Sequence, residues 1–371
     1  MNGMSDALYP SDRLRVAQRA AAAAGLDALL LTPGADLRYL TGYDAHALER
    51  LTCLVLPADG DPVLVVPALE EAAAKASPAG GLDLEIRAFA EGADAYGLIR
   101  DLIPASRRLG LADRMWAEQV LAFRAAFPAA EQVLAGGVLR PLRVRKSPAE
   151  VEALRRAGQA IDRVHERMGE WLVAGRTEAA VGRDIADAIL SEGHATVSFV
   201  IVGSGPNGAS PHHAVSDRVI EDGDPVVVDI GGVTVDGYCS DSTRTYVLGA
   251  PPEGFATAYA VLQEAQEAGV AAVRPGVTAE SVDAACRDVL TAAGYGDAFI
   301  HRTGHGIGLE EHEEPWIIGG NPTVLEEGMA FSVEPGFYLA GRYGARIEDI
   351  VVCGADGPDR LNVTPRTLTL L

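Results

Sequence analysis

The chain has only four cysteines, Cys53, Cys239, Cys286 and Cys353, scattered through 371 residues with no CxxC pair among them. That excludes a disulfide framework and predicts reduced thiols in a cytoplasmic protein. Long apolar runs are also missing. The most apolar stretch, Ala20 to Leu31, is interrupted by Asp27 and is too short to span a bilayer. Residues 1–18 carry Asp6 and Asp12 and lack a basic start followed by an apolar run, so no secretory signal is expected. Basic charge is scarce: 31 Lys and Arg stand against 52 Asp and Glu, a formal net charge of −21. Neither nucleic acid nor an anionic membrane suits such a field as a main partner, whereas a cluster of the excess acids suits bound cations. A phosphate loop is absent too, because Gly203-Ser204-Gly205-Pro206-Asn207-Gly208 has neither GxGxxG spacing nor a P-loop lysine.

What is present is ordinary for a large core: 48% hydrophobic and 22% charged residues, in a length that suits two or three domains. Residues 11–25 read as an Ala-rich helix stopped by Gly25, and Ala28–Leu31 as a buried strand. Leu51–Leu56 and Pro62–Val66 read as two more strands around the turn signal Asp59-Gly60. Helix and strand signals alternate to about residue 140, as in an α/β domain. The segment from Leu139 to Pro148 is basic and carries two prolines in an otherwise acidic chain. The expected division is therefore an N-terminal α/β domain over 1–140, a linker over 141–148 and a second domain over 149–371. Ser147, Pro148 and Glu150 form the signature of a capping box at the start of a long helix.

The second domain contains a repeat. Gly175–His194 aligns with Gly276–Tyr295 at an offset of 101, with identities at Gly175/Gly276, Thr177/Thr278, Val181/Val282, Asp187/Asp288 and Gly193/Gly294. Each copy predicts a helix capped by threonine and stopped by glycine. The following block, Glu221–Gly231, aligns with Glu326–Gly336 at an offset of 105. Two blocks in the same order imply a duplication. Each half then predicts a helix followed by a hairpin, Pro225–Gly232 with Tyr238–Leu248 and Met329–Leu339 with Ala345–Cys353. Together they suggest a curved, mostly antiparallel sheet covered by helices on one side.

The acids on these hairpins carry the chemistry. Asp229 ends the apolar run Val226–Val228, Asp241 lies in the returning strand, Glu334 stands in the second copy where Asp229 stands in the first, and Glu348 lies in the second returning strand. The repeat predicts equivalent hairpin positions for all four. A lone carboxylate in a buried strand is costly unless paired or bound to a cation. His305 adds an imidazole within the glycine-rich run Gly304–Gly308. Four hard oxygen donors and one borderline nitrogen suit two divalent ions of the Mn, Co or Zn type better than a structural zinc. Two such ions about 3.5–4 Å apart can supply a nucleophilic hydroxide at neutral pH. Asp236 reads as a turn residue beside Gly237, Asp349 as facing away from Glu348, and Cys239 as a small packing residue.

Val228-Asp229-Ile230-Gly231-Gly232, Gly237–Thr245, Gly304–Leu309, His312-Glu313-Glu314-Pro315, Phe331–Gly336 and Arg346-Ile347-Glu348-Asp349 together resemble the proline-specific metallopeptidases of the pita-bread fold, which include aminopeptidase P and prolidase. The resemblance is strong over about 148–371, and the first 140 or so residues look like the family's smaller α/β domain. It implies an α/β fold with a creatinase/prolidase-like N-terminal domain and a C-terminal pita-bread domain with an internal pseudo-twofold repeat. It further implies that Asp229, Asp241, His305, Glu334 and Glu348 are ligands of two divalent ions, with Mn²⁺ favoured over Co²⁺ or Zn²⁺. By the same resemblance His212, the residue after the loop proline, is a substrate-side histidine, His301 and His312 are further active-site histidines, Arg346 is an arginine beside the last ligand, and Glu334 doubles as proton shuttle. The turn between Asp229 and Asp241 is one residue longer than the family's usual pattern. The implied reaction is hydrolysis of the bond before proline in a peptide, by a dipeptidase or an aminopeptidase, in a homodimer. Metal-free amidinohydrolases resembling creatinase and non-catalytic binding proteins share the fold but lack the ligand set. Arg346 is expected either to meet a dipeptide's carboxylate or to pair with the acids of the site.

Overall fold

A computed structural model describes residues 8–371. Part of the stretch read for a secretory signal, residues 1–7, lies outside the described residues. The chain forms two compact units that divide between Arg143 and Val144. Among the described residues no helix is long and apolar enough to cross a membrane.

The first unit begins with the Ala-rich helix α1 (Arg13–Ala23), whose buried stripe is Leu14, Ala17 and Ala21. Gly25 follows at φ +69°, a conformation that a side chain disfavours, and turns the chain into β1 (Ala28–Leu31). With β2 (Cys53–Pro57), β3 (Val63–Pro67), β4 (Glu85–Phe89), β5 (Arg108–Leu111) and β6 (Glu131–Leu134) it makes a mixed sheet of order β4-β3-β2-β1-β5-β6. Leu30, Val55, Val65, Leu109 and Phe123 fill its core. Residues 141–143, assigned to a linker from sequence, instead complete helix α2 (Gly136–Arg143), with Pro141 inside it.

In the second unit the Ser147 capping box opens α3 (Pro148–Glu166). The repeat is visible in three dimensions. Helix α4 (Glu178–Ser191) follows Thr177, which bridges Val219, and the later helix Ala279–Ala292 follows Thr278, which bridges Val324. The two caps differ, however. Thr177 accepts a hydrogen bond from the Ala180 amide, whereas the Thr278 side chain caps nothing.

Strands β7 (His194–Ser204), β8 (Pro225–Thr234) and β9 (Cys239–Val247) form an antiparallel sheet, extended on the β9 side by the short parallel strand Thr369–Leu370. The β8–β9 turn runs between Thr234 and Cys239, where Gly237 adopts φ +87°. In the second half β10 (Gly304–Gly306), β11 (Glu313–Ile317), β12 (Ala330–Val333), β13 (Gly336–Leu339), β14 (Tyr343–Arg346) and β15 (Asp349–Gly354) follow. The expected single hairpin is split there: β12 pairs with β15 and β13 with β14, so the sheet breaks at Glu334-Pro335 and Ile347-Glu348. Side chains alternate across a strand. Val226, Val228, Ile230 and Tyr246 therefore pack with Ile161, Val181 and Ile185 of α3 and α4. Phe331, Val333 and Val351 pack with Leu262, Val282 and Leu290 of the second half's helices. The opposite faces are left for polar groups.

Register corrects one expectation. Gly231 pairs with Asp241 and Gly336 with Arg346, so at an offset of 105 the counterpart of Asp241 is Arg346, and that of Thr243 is Glu348. Asp229 and Glu334 are equivalent; Asp241 and Glu348 are not. Where the halves meet, counterparts bond to each other. Thr243 Oγ1 donates to Glu348 Oε2 (2.7 Å), and Arg244 Nη2 lies 2.7 Å from Asp349 Oδ1. Asp349 is fully buried and also accepts from Gln266 Nε2 (2.9 Å) and from Arg366. Asp349→Ala should leave the Arg244 guanidinium buried without its counter-charge and lower stability by about 3–5 kcal/mol. A shift in the urea unfolding midpoint measures this, and Asp349→Asn should lose less.

Candidate active site

The polar faces of the two halves bring Asp229, Asp241, His305, Glu334 and Glu348 together. Asp229 comes from β8, Asp241 from β9 and His305 from β10, while Glu334 and Glu348 sit at the two sheet breaks. All but the partly buried Glu334 are buried. Ligand atoms of His305, Glu334 and Glu348 lie within 4.8 Å of one another, as do those of Asp229, Asp241 and Glu348. Glu348 is common to these two groups, and Asp241, His305 and His312 make a third. Gly304 and Gly306 permit this approach: a Cβ on Gly304 would lie 1.8 Å from the Ser332 carbonyl oxygen, and one on Gly306 would lie 2.1 Å from that of Glu314.

Burial and mutual repulsion dominate the electrostatics. Burial, then the charges of Glu348, Asp229 and Glu334, push the Asp241 carboxyl well up. Burial, then Glu334 and Asp229, does the same to Glu348. Burial pushes Glu334 up to about 7, against the pull of Arg346. His305 is pushed down to about 3 by burial and by His312, so its imidazole is neutral. Its Nδ1 is 3.1 Å from the Gly306 carbonyl, which favours a proton there and leaves the Nε2 lone pair facing Glu334 (3.3 Å) and Asp241 (3.6 Å). Ser332 Oγ accepts from the His305 amide (3.0 Å) and donates to Glu334 Oε1 (3.1 Å).

Asp229 Oδ1 is buried without a hydrogen-bond partner. An orphaned carboxylate oxygen on a face shared with three other acids is a costly arrangement that a cation would relieve. Two overlapping donor groups of hard oxygens and one imidazole fit a pair of divalent ions.

Arg346 is committed to this face. Its Nη2 pairs with Asp229 Oδ2 (2.5 Å), its Nε donates to Thr243 Oγ1 (3.1 Å), and its Nη1 donates to the Tyr338 hydroxyl (2.7 Å). Of the two contacts expected of it, the one with the acids is present, to Asp229. Tyr338 OH is in turn 2.9 Å from His301 Nε2, and His301 Nδ1 lies 2.7 Å from the Arg302 carbonyl. Burial, with Arg346 nearby, pushes His301 down to about 3, so it is neutral within this chain. The His312 ring lies 3.9 Å from that of His305 between centroids, tilted by 52°. His212 and His312 are exposed, while His213 turns away to Glu178, at 2.8 Å. Asp349 and Asp236 stand outside the cluster, Asp236 paired with Arg156, and the Cys239 thiol is pushed up by burial and nearby acids.

Three polar neighbours escaped the sequence reading. Thr243 and Tyr338 belong to the Arg346 chain, and Thr243 was available in principle as the repeat counterpart of Glu348. Arg302 stacks its guanidinium on the Trp316 ring at 4.4 Å and has no carboxylate partner within ion-pair distance among the described residues. Its charge acts on Glu334, His305 and His312, which places it beside the cluster. No periodicity marks it; only its closeness to His305 in the chain could have.

Comparison with known proteins agrees with this geometry. Residues 152–355 match metallopeptidase family M24, and residues 13–145 match the creatinase/prolidase N-terminal domain. A protein of Mycobacterium tuberculosis named probable dipeptidase PepE is 54% identical over 367 residues, covering 99% of this chain and 98% of that one. An Xaa-Pro dipeptidase of Lactobacillus helveticus is 35% identical over 346 residues, covering 90% and 92%. The crystal structure of dipeptidase PepE from Mycobacterium ulcerans superposes with a TM-score of 0.90 at 53% identity, over 96% of each chain. The chain therefore belongs to metallopeptidase family M24 and is a hydrolase of peptides with the pita-bread fold, in a family that works with divalent metal ions.

Proposed function

We propose that the protein hydrolyses Xaa-Pro dipeptides with two divalent ions held by Asp229, Asp241, His305, Glu334 and Glu348, manganese being the first choice and Co²⁺ or Zn²⁺ able to substitute. The observation that carries the reading is the partnerless Asp229 Oδ1 on a buried face with three other acids. Glu348 belongs to two of the three donor groups and would help to hold the ions. When bound, the ions would supply Lewis acidity and activate water near neutral pH. The protein's own groups do the rest. Glu334 is placed to carry a proton to the prolyl nitrogen, which has no N–H and must gain one to leave. His212 and His312, on the open side, are placed to hydrogen-bond the carbonyl oxygen as it gains charge. His301, through Tyr338, steadies Arg346, which in turn orients Asp229.

Arg302 supports the dipeptide over longer substrates. With Arg346 occupied by Asp229, Arg302 is the cation beside the cluster that can meet a carboxylate directly after proline. The dipeptidase names of the M. tuberculosis and L. helveticus relatives support the same choice, and the second supports proline specificity. Family resemblance supports a homodimer, and four free, buried cysteines support a cytoplasmic location.

Removing the ions by dialysis against a chelator should abolish hydrolysis, and Mn²⁺ should restore it. Glu348→Gln removes one charge from a repelling set, so the metal-free variant should melt no lower than metal-free wild type. It should also lose the rise in Tm that Mn²⁺ gives the wild type. His212→Ala and His312→Ala should keep both ions by metal analysis yet lower kcat roughly 10²–10³-fold. Among peptides, Ala-Pro should be cleaved faster than Ala-Pro-Ala-Ala, and Ala-Ala-Ala-Ala should resist. Arg302→Met should lower kcat/KM for Ala-Pro by roughly 10–10²-fold, the scale of one charged hydrogen bond, with little effect on Ala-Pro amide. Equal losses on both substrates would remove Arg302 from carboxylate recognition.

A further inference from the structure

The loop that carries His212 is anchored by a carboxylate that the reaction above does not use. Glu178 opens α4 directly after its N-cap Thr177, and its side chain has no solvent exposure. Oε1 accepts from the Ser204 amide (2.8 Å) and hydroxyl (2.6 Å). Oε2 accepts from the Ser216 hydroxyl (2.6 Å), the Ser216 amide (3.3 Å) and His213 Nε2 (2.8 Å). Asn207 Nδ2 lies 3.1 Å from both oxygens. One group thus gathers the start, middle and end of the segment from Ser204 to Ser216. Burial pushes this carboxyl up, but the hydroxyls of Ser204 and Ser216, the Ser204 amide and His213 outweigh burial and hold it below the usual carboxylate range. It is therefore ionised at neutral pH, and its hydrogen bonds are of the stronger, charge-assisted kind.

His212 itself makes no hydrogen bond among the described residues, yet both its neighbours are held. The Pro211 carbonyl accepts from Arg346 Nη2 at 3.4 Å, and His213 is bound to Glu178. Beyond these, the turn has only the backbone bonds Ser210 N to Asn207 O (3.0 Å) and His213 N to Ser210 O (3.2 Å), while Ala214, Val215 and Asp217 are exposed. The rest of the segment is held by packing, Gly208 close against Gly344 of β14 and Val215 against Gly182 of α4, so the His213–Glu178 bond is the side-chain hydrogen bond made next to His212.

We propose that Glu178, acting through His213, is the positioning residue for His212, holding the loop so that this imidazole stands ready on the substrate side. The inference rests on the reading of His212 as a substrate-side group. Its physical content is that an imidazole useful only in the transition state loses its value when displaced by about 1 Å, at a cost of up to roughly 10²-fold in rate. A residue that sets this position acts on kcat and leaves KM and metal content alone.

The test is a mutant cycle in the metal-loaded enzyme with Ala-Pro as substrate. Glu178→Gln is the direct variant, but it disturbs a buried acceptor with six hydrogen-bonded groups and can fail to fold; the partly exposed His213 then carries the test alone. His213→Ala should lower kcat roughly 10-fold with KM within about two-fold and the same metal content. His213→Gln, which places an amide donor near the position of the lost Nε2, should recover most of the loss. In a His212→Ala background, His213→Ala should cost nothing further, because both changes remove the same contribution. Fully additive losses, or an unchanged kcat in His213→Ala, would overturn the proposal. An unchanged kcat in His212→Ala alone would overturn the reading of His212, and the proposal with it, and is read separately from the cycle.

Discussion

Four carboxylates buried on one polar face are the constraint around which the second unit is organised. At an effective dielectric of about 20, two unit charges about 4 Å apart repel by about 4 kcal/mol, and this face contains several such pairs. The chain supplies one buried cation against them, Arg346, together with the hydroxyls of Thr243 and Ser332. That is not enough: Asp241 and Glu348 are still pushed well up, and Asp229 keeps an oxygen with no partner. Such a face is tolerable because the other side of each sheet is a dense apolar layer under helices, which holds the strands whatever the acids do. A cation bound on such a face would relieve its repulsion and so gain binding energy there.

The duplication explains where the acids come from and also why they are not symmetric. Only Asp229 and Glu334 occupy counterpart positions. On the inner strands the two halves have diverged into complementary pairs: aspartate against arginine at 241 and 346, threonine against glutamate at 243 and 348, arginine against aspartate at 244 and 349. A strict repeat would put like groups against each other at the seam, and the second and third pairs bond directly across it. The divergence turns a line of self-contacts into hydrogen bonds and an ion pair, and leaves the donor set with one imidazole and unequal surroundings for its acids.

The arginines divide the labour of charge in this region. Arg244 is closed into the seam with Asp349, Arg346 is closed onto Asp229 and Tyr338, and Arg302 rests on an aromatic face with no carboxylate at ion-pair distance among the described residues. A guanidinium stacked on an indole keeps its donors directed outward, which suits a carboxylate arriving with substrate. The dipeptidase names of the relatives describe substrates that end in such a carboxylate.

Much of this was legible along the chain. The Ser147 capping box, the alternation that buries Val226, Val228 and Ile230 while turning Asp229 the other way, the facing of Asp349 away from Glu348, the turn at Asp236-Gly237 and the duplication all follow from local chemistry and period, which act between residues near in sequence. The same logic picked out the acids, since a carboxylate within a buried strand is anomalous wherever it occurs. What only the tertiary structure decided concerns partners across the two halves. The Arg346 guanidinium goes to Asp229, His213 to Glu178 while His212 stays open, and the repeat counterpart of Asp241 is an arginine. A strand's sequence sets which face a side chain takes, but not which strand of the other half will lie opposite. Charges and hydrogen bonds at about 3 Å are governed by that second fact.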